Sequence, residues 1–206
     1  MEAYYDAEAP VYDETRGGSV RARAAAEAVL ALAPRDGLCL DVGGGTGIVG
    51  AELAARGLTV VVTDLSHGML QQARARLPGR VAVARADRLP LRDGSVDMVT
   101  ALWLLHLLEP ELADRVLAEA ARVLRRGGTL VTTVDKDHAH GRDRRTDADA
   151  RDRRTDADAR DRVVAVAARV ALSPAGATSF TGPTKWDSAT DGDPVFPVLA
   201  LKKHTA

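Results

Sequence analysis

Residues 40–47 read Leu-Asp-Val-Gly-Gly-Gly-Thr-Gly, where a short apolar run breaks into a glycine-rich turn. The run itself, residues 38–42, is too short and too uniformly apolar for a surface helix and predicts a buried strand. Glycine takes positive φ freely and lets a ligand approach the backbone with no Cβ in the way. Asp41, Gly43, Gly45 and Gly47 set an Asp-x-Gly-x-Gly-x-Gly spacing, and a helix is predicted from 47 to 56, stopped at Gly57. Residues 58–63 then read as a second, β-branched strand that runs into Asp64. An acid there, about twenty residues past the turn, suits both hydroxyls of an adenosine ribose in the crevice at the strand ends.

The same alternation continues outward. Residues 20–33 (VRARAAAEAVLALA) are Ala-rich with helical spacing and stop at Pro34. A helix is predicted over 66–77 with Ser66 as N-cap, and another over 109–126, opened by Glu-Pro-Glu and closed by Gly127 and Gly128. Strands are predicted at 80–84, 96–101, 129–134, 175–180 and 195–201. Apolar strands separated by helices imply a parallel sheet covered on both faces, a doubly wound α/β fold. At 206 residues the chain has room for one domain, 1–206, and too little for two.

Composition excludes several function classes. Lys plus Arg total 28 against 29 Asp plus Glu, so no basic field exists for nucleic acid or an anionic membrane. Aromatics at 3% disfavour sugar-stacking and base-stacking surfaces. A single cysteine, Cys39, excludes an internal disulfide and a cysteine-rich zinc site, and its apolar setting predicts inert core packing. The acidic first fourteen residues have no apolar h-region, so no signal peptide is expected. The longest apolar stretch, 99–108, is about half the ~20 residues that span a bilayer. A soluble, cytoplasmic chain is expected, monomeric or homodimeric.

Residues 142–150 (RDRRTDADA) are repeated without change at 151–159. Nine residues advance a helix by about 900°, so the two copies face opposite ways and share no continuous surface. Pairs such as Asp156 with Arg160 and Asp158 with Arg162 predict a solvated helix or loop. Val163, Val166, Ala167 and Val170 then restore a core-facing stripe.

Several nucleotides remain open to the glycine turn. Gly45, Gly47 and Gly50 also spell Gly-x-Gly-x-x-Gly, the spacing of a nicotinamide or flavin site. No Gly-Lys-Ser/Thr follows, which excludes a P-loop. All three tyrosines lie at positions 4, 5 and 12, which excludes the Tyr-x-x-x-Lys chemistry of short-chain dehydrogenases.

Five segments in order resemble one family: LDVGGGTG, VVVTDLSHGML, ARADRLPLRDGSVDMV, ALWLLHLLEPE and RVLRRGGTLVTTV. Together they resemble the class I S-adenosylmethionine-dependent methyltransferases of the type 11, ubiquinone/menaquinone-biosynthesis-like group. The resemblance covers residues 4–134 closely and implies a Rossmann-like, mostly parallel sheet of seven strands with an antiparallel final strand. It implies lid helices in 1–35, a cofactor core in 36–135 and a substrate half in 136–206, which carries the 142–159 duplication. The implied cofactor is S-adenosylmethionine, and the implied partner is a small-molecule acceptor. Gly43, Gly44 and Gly45 would lie against methionine and ribose, with Asp41 supporting their loop. Asp64 would hold the ribose hydroxyls, Leu65 would pack on adenine, Met69 would contact the cofactor, and Asp87, flanked by Arg88, would accept the adenine amino group. Leu102 and Leu104 would line the methionine end. Tyr5, Tyr12 and Arg16 match the family's lid opening, and Arg16 would pair with the methionine carboxylate. Residues 124–128 read Leu-Arg-Arg-Gly-Gly where the family usually has a proline before the glycines.

The sulfonium is already activated, so in-line transfer needs chiefly alignment in a dry site. A base helps if the acceptor is a hydroxyl or an acidic carbon, and His106, past the fourth strand, is the candidate. His138 and His140 with Asp135 and Asp137 form the only metal-like grouping, and no metal is expected. Trp103 and Trp186 would serve as pocket wall or core. Two other readings of the same loop are a nicotinamide-dependent reductase and a non-catalytic S-adenosylmethionine-binding subunit.

Overall fold

The computed structural model describes residues 2–134, 156–183 and 193–205. Three helices come first: α1 (Glu2–Glu8), α2 (Tyr12–Thr15) and α3 (Gly18–Leu32). Strands and helices then alternate through β1 (Leu38–Val42), α4 (Ile48–Ala54), β2 (Thr59–Asp64), α5 (His67–Arg76), β3 (Val81–Val83) and β4 (Val96–Ala101). After a single 3₁₀ turn (Leu105–Leu107) come α6 (Pro110–Val123), β5 (Leu124–Thr133), α7 (Asp156–Arg169), β6 (Leu172–Thr181) and β7 (Val195–Lys203).

The seven strands form one sheet in the order β3-β2-β1-β4-β5-β7-β6, parallel except for β7, which runs against both β5 and β6. The strands are apolar throughout because both faces are covered. On one face α3, α4 and α5 place Val29, Leu53 and Leu70 against Val60, Met98 and Phe196. On the other, α6 and α7 place Leu117, Ala121 and Ala167 against Leu40, Leu130 and Leu199. The strand order reverses beside β1, which is the position that opens a crevice at the carboxyl ends of β1 and β4.

Two boundaries depart from expectation by three residues: β6 begins at Leu172 rather than 175, and α6 ends early. The helix predicted to reach residue 126 ends at Val123, and β5 begins at the next residue. Leu124 pairs with Val96, whereas Thr129 pairs with Met98, so residues 125–128 loop out of the ladder. Gly127 takes φ of 71°, and Arg125 ion-pairs with Asp97 across that loop.

The duplication lies outside the described residues except for its last four positions, which open α7. Farther along, Val166 and Ala167 are buried, and Arg162 bonds Asp114 of α6 at 2.8 Å. Among the described residues no helix is long and apolar enough to cross a membrane. Cys39 is buried against Thr100, and burial pushes its thiol pKa up, which makes it inert.

Candidate active site

The glycine turn sits where β1 meets β2. The N–H groups of Gly43 and Gly44 both donate to the Thr63 carbonyl, at 2.8 and 3.1 Å, which draws the loop over the end of β2. A Cβ on Gly44 would lie 2.5 Å from Asp41 Oδ2, so only glycine fits there. Gly45, at φ 56°, has nothing nearer such a Cβ than Met69 Sδ at 3.9 Å, and its backbone faces the open cleft. Gly47 and Gly50 press instead on Ala73 and Val60. The downstream glycines therefore serve packing.

Asp41 lies beneath this loop, 3% exposed, and accepts the Thr100 hydroxyl at 2.7 Å. Burial pushes its pKa up to about 6, although the Thr100 bond pulls the other way. The folded chain thus binds this proton more tightly than the unfolded one. Asp41's contribution to stability is greatest in acid and falls as pH rises from about 4 to about 6. An Asp41→Asn variant should gain on the wild type by roughly 2 kcal/mol between pH 4.5 and pH 7.5. Melting curves at the two pH values check this, and equal differences at both would refute it.

Asp64 closes β2 and bridges two turns. Its Oδ2 accepts the Gly45 N–H and its Oδ1 the Ser66 N–H, both at 2.9 Å. Burial raises its pKa while these N–H groups lower it. The carboxylate lines the cleft. Ser66 caps α5 by accepting the Met69 N–H at 3.1 Å, as expected. Asp87 lines the cleft farther along, but Arg85 already grips it with two bonds of 2.9 Å, and Arg115 approaches at 3.3 Å. The Arg85 hydrogen bond holds its carboxyl below the usual range.

The N-terminal helices close the top, fastened by two acids that sequence reading did not single out. Asp6 Oδ1 accepts both the Ser66 hydroxyl (2.6 Å) and the Gly68 N–H (2.8 Å). Asp13 accepts the Thr46 hydroxyl at 2.6 Å and pairs with Arg76, also at 2.6 Å. Between these anchors, Tyr5 and Tyr12 meet edge to face at 6.2 Å and Arg16 lies 5.5 Å over the Tyr12 ring. Burial pushes the Tyr5 hydroxyl up to about 12 and raises Tyr12 also, so both are neutral hydrogen-bonding groups. Asp13→Ala should quicken amide exchange across residues 2–16 by about tenfold, since a charged hydrogen bond is worth about 1.5–3 kcal/mol. Unchanged exchange would refute the anchoring.

The far wall follows β4. Leu102, Trp103, Leu104, Leu107, Leu108, Leu112 and Val116 line it, and Trp103 takes φ of 52°, held by its N–H to Thr133 Oγ1 at 2.7 Å. Of the expected set, Tyr5, Tyr12, Arg16, Asp41, Gly43, Gly44, Gly45, Asp64, Leu65, Met69, Asp87, Leu102 and Leu104 all line one cleft. Two do not. The Arg88 N–H turns back to the Arg85 carbonyl, and Ala84, Arg85, Ala86 and Asp87 of that loop reach the cleft while Arg88 does not. His106 sits in the 3₁₀ turn, whose three-residue period puts Leu104 and Leu107 on the cleft side and His106 on another. Among the described residues no group of His, Cys, Asp and Glu is arranged to hold a metal. His138, His140, Asp135, Asp137 and Trp186 lie outside the described residues.

Comparison with known proteins matches residues 40–132 to the "Methyltransferase domain" family. The match runs from within β1 through most of β5. The chain is 44% identical over 93 residues to demethylmenaquinone methyltransferase of Beutenbergia cavernae, covering 45% of this chain and 38% of that one. It is 49% identical over 96 residues to malonyl-[acyl-carrier protein] O-methyltransferase of Geobacter sulfurreducens, covering 41% and 33%. The chain thus spans less than two-fifths of the length of these curated relatives. The fold matches a solved SAM-dependent methyltransferase of Thermotoga maritima with a TM-score of 0.68 at 18% identity, over 98% of this chain and all of that one.

Proposed function

We propose that this chain transfers the methyl group of S-adenosylmethionine to a small-molecule acceptor. The observation that carries the reading is Asp64, whose half-buried carboxylate spans the Gly45 and Ser66 N–H groups at the cleft edge. The residues present fit the cofactor: an open glycine backbone at Gly45, a ribose acceptor in Asp64, an apolar adenine wall in Leu65 and Met69, and a cation in Arg16 for the amino-acid end. Once bound, the sulfonium supplies an activated methyl group, and its bonding electrons return to sulfur on transfer.

The chain's own work is binding, alignment and exclusion of water. Tyr5 and Tyr12 cover the cleft, and the leucines past β4 keep its acceptor end dry, which strengthens every polar contact inside. With His106 away from the lining, proton removal falls to the acceptor's own acidity or to solvent. Isothermal titration with S-adenosylhomocysteine should give binding in the micromolar range, with none for NADPH. Binding of NADPH alone would favour a reductase. Label transfer from methyl-labelled cofactor to a metabolite extract should succeed, and its failure in a chain that binds S-adenosylhomocysteine would leave a binding subunit.

A further inference from the structure

One buried cation in the cleft is not among the residues assigned above to the cofactor. Arg21, in the first turn of α3, is 9% exposed and lines the cleft. Its guanidinium carbon lies 4.4 Å from the Trp103 ring centre and 5.7 Å from that of Phe196. Phe196 stacks on Phe180 at 5.1 Å, so the plane of Arg21 rests on an aromatic floor. Among the described residues no hydrogen bond or ion pair joins Arg21 to a carboxylate. Asp13 influences it, yet both Asp13 oxygens are taken by Thr46 and Arg76, and Arg16 adds a second positive charge nearby. Burial lowers the Arg21 pKa to about 10, which leaves it charged at neutral pH.

Burying a guanidinium without an anion is costly, and stacking on a desolvated ring returns only part of that cost. The remaining N–H edge is a planar fork that matches a carboxylate. Position decides whose carboxylate it receives. The ribose and adenine acids, Asp64 and Asp87, stand at the β2–β3 side of the sheet. Trp103, Phe180 and Phe196 belong to the β4, β6 and β7 side. We propose that Arg21 binds a carboxylate of the methyl acceptor, so that the acceptors are small carboxylic acids whose apolar body lies along Leu102, Leu107, Leu108 and Leu112. This deepens the methyl-transfer reading and rests on it. In the transfer the carbon–sulfur bond breaks, the acceptor's nucleophilic atom forms the new bond to carbon, and any proton on that atom leaves to solvent.

The test uses the full chain saturated with S-adenosylhomocysteine and two matched probe pairs, butyrate with butyramide and benzoate with benzamide. Each acid should bind about tenfold or more tightly than its amide. Arg21→Gln should bring the pair to parity, and Arg21→Lys should retain part of the preference, with S-adenosylhomocysteine affinity within about threefold in both. If Arg21→Gln does not fold, Arg21→Lys carries the test alone, and its acid preference must fall by about threefold or more. Equal binding of acids and amides by the wild type overturns the proposal. So does a loss of S-adenosylhomocysteine affinity of about tenfold in a folded Arg21 variant, because the anion would then be the cofactor's own. Wild type that fails to bind S-adenosylhomocysteine strikes the methyl-transfer reading instead.

Discussion

Asp64→Ala should weaken S-adenosylhomocysteine binding by about two orders of magnitude or more. Two effects combine. The ribose hydroxyls lose charge-assisted partners, each worth about 1.5–3 kcal/mol. The Gly45 and Ser66 N–H groups also lose their shared acceptor, so the glycine loop and the start of α5 are no longer tied together. Asp64→Asn separates these effects. Its single carbonyl can accept from one N–H while its amide repels the other, so the loop suffers although the volume is kept. Titration calorimetry on both variants checks the result. Affinity within twofold of wild type for Asp64→Ala would refute the ribose assignment, and with it the registration of the whole cofactor.

Phe196→Ala should be the most damaging single truncation for stability. Phe196 is 1% exposed, faces Phe180 directly across the β6–β7 ladder and meets the Trp103 edge at 5.6 Å. Removing a buried phenylalanine costs about 3–5 kcal/mol, because the surroundings close only partly over the cavity. At about 2–4 °C per kcal/mol for a chain of this size, the melting temperature should fall by roughly 10 °C. Trp103 and Arg21 lose their floor at the same time, so the acid-over-amide preference should shrink while S-adenosylhomocysteine still binds. A melting temperature within 3 °C of wild type would show that Phe196 is not the keystone its packing indicates.

The parts legible in sequence were those set by local pattern. Residues 38–42 and 96–101 form strands with the expected bounds, because apolar runs between polar stops have no other buried form. The cleft residues expected from the ordered motifs assembled because those motifs are consecutive strand ends. What escaped reading depends on distance along the chain. Asp6 and Asp13 stand in the two Tyr-Asp pairs of the opening, but their partners lie 60 and 63 positions away. Arg21 reads as the polar face of an Ala-rich helix, and nothing local marks the aromatic floor that shelters it. The helix expected through residue 126 kept its periodicity into Leu124, but the sheet claimed that leucine for pairing with Val96. His106 was judged by its place after β4, and a tight turn of different period rotated it away.

Asp6 fastens the N-terminal helices to Ser66, the same residue whose N–H steadies Asp64. Filling the cleft and shutting it therefore act on one turn, and each must favour the other to the same extent. Cutting that tie, as in Asp6→Ala, should therefore quicken dissociation of S-adenosylhomocysteine more than it slows association, and stopped-flow rates check this.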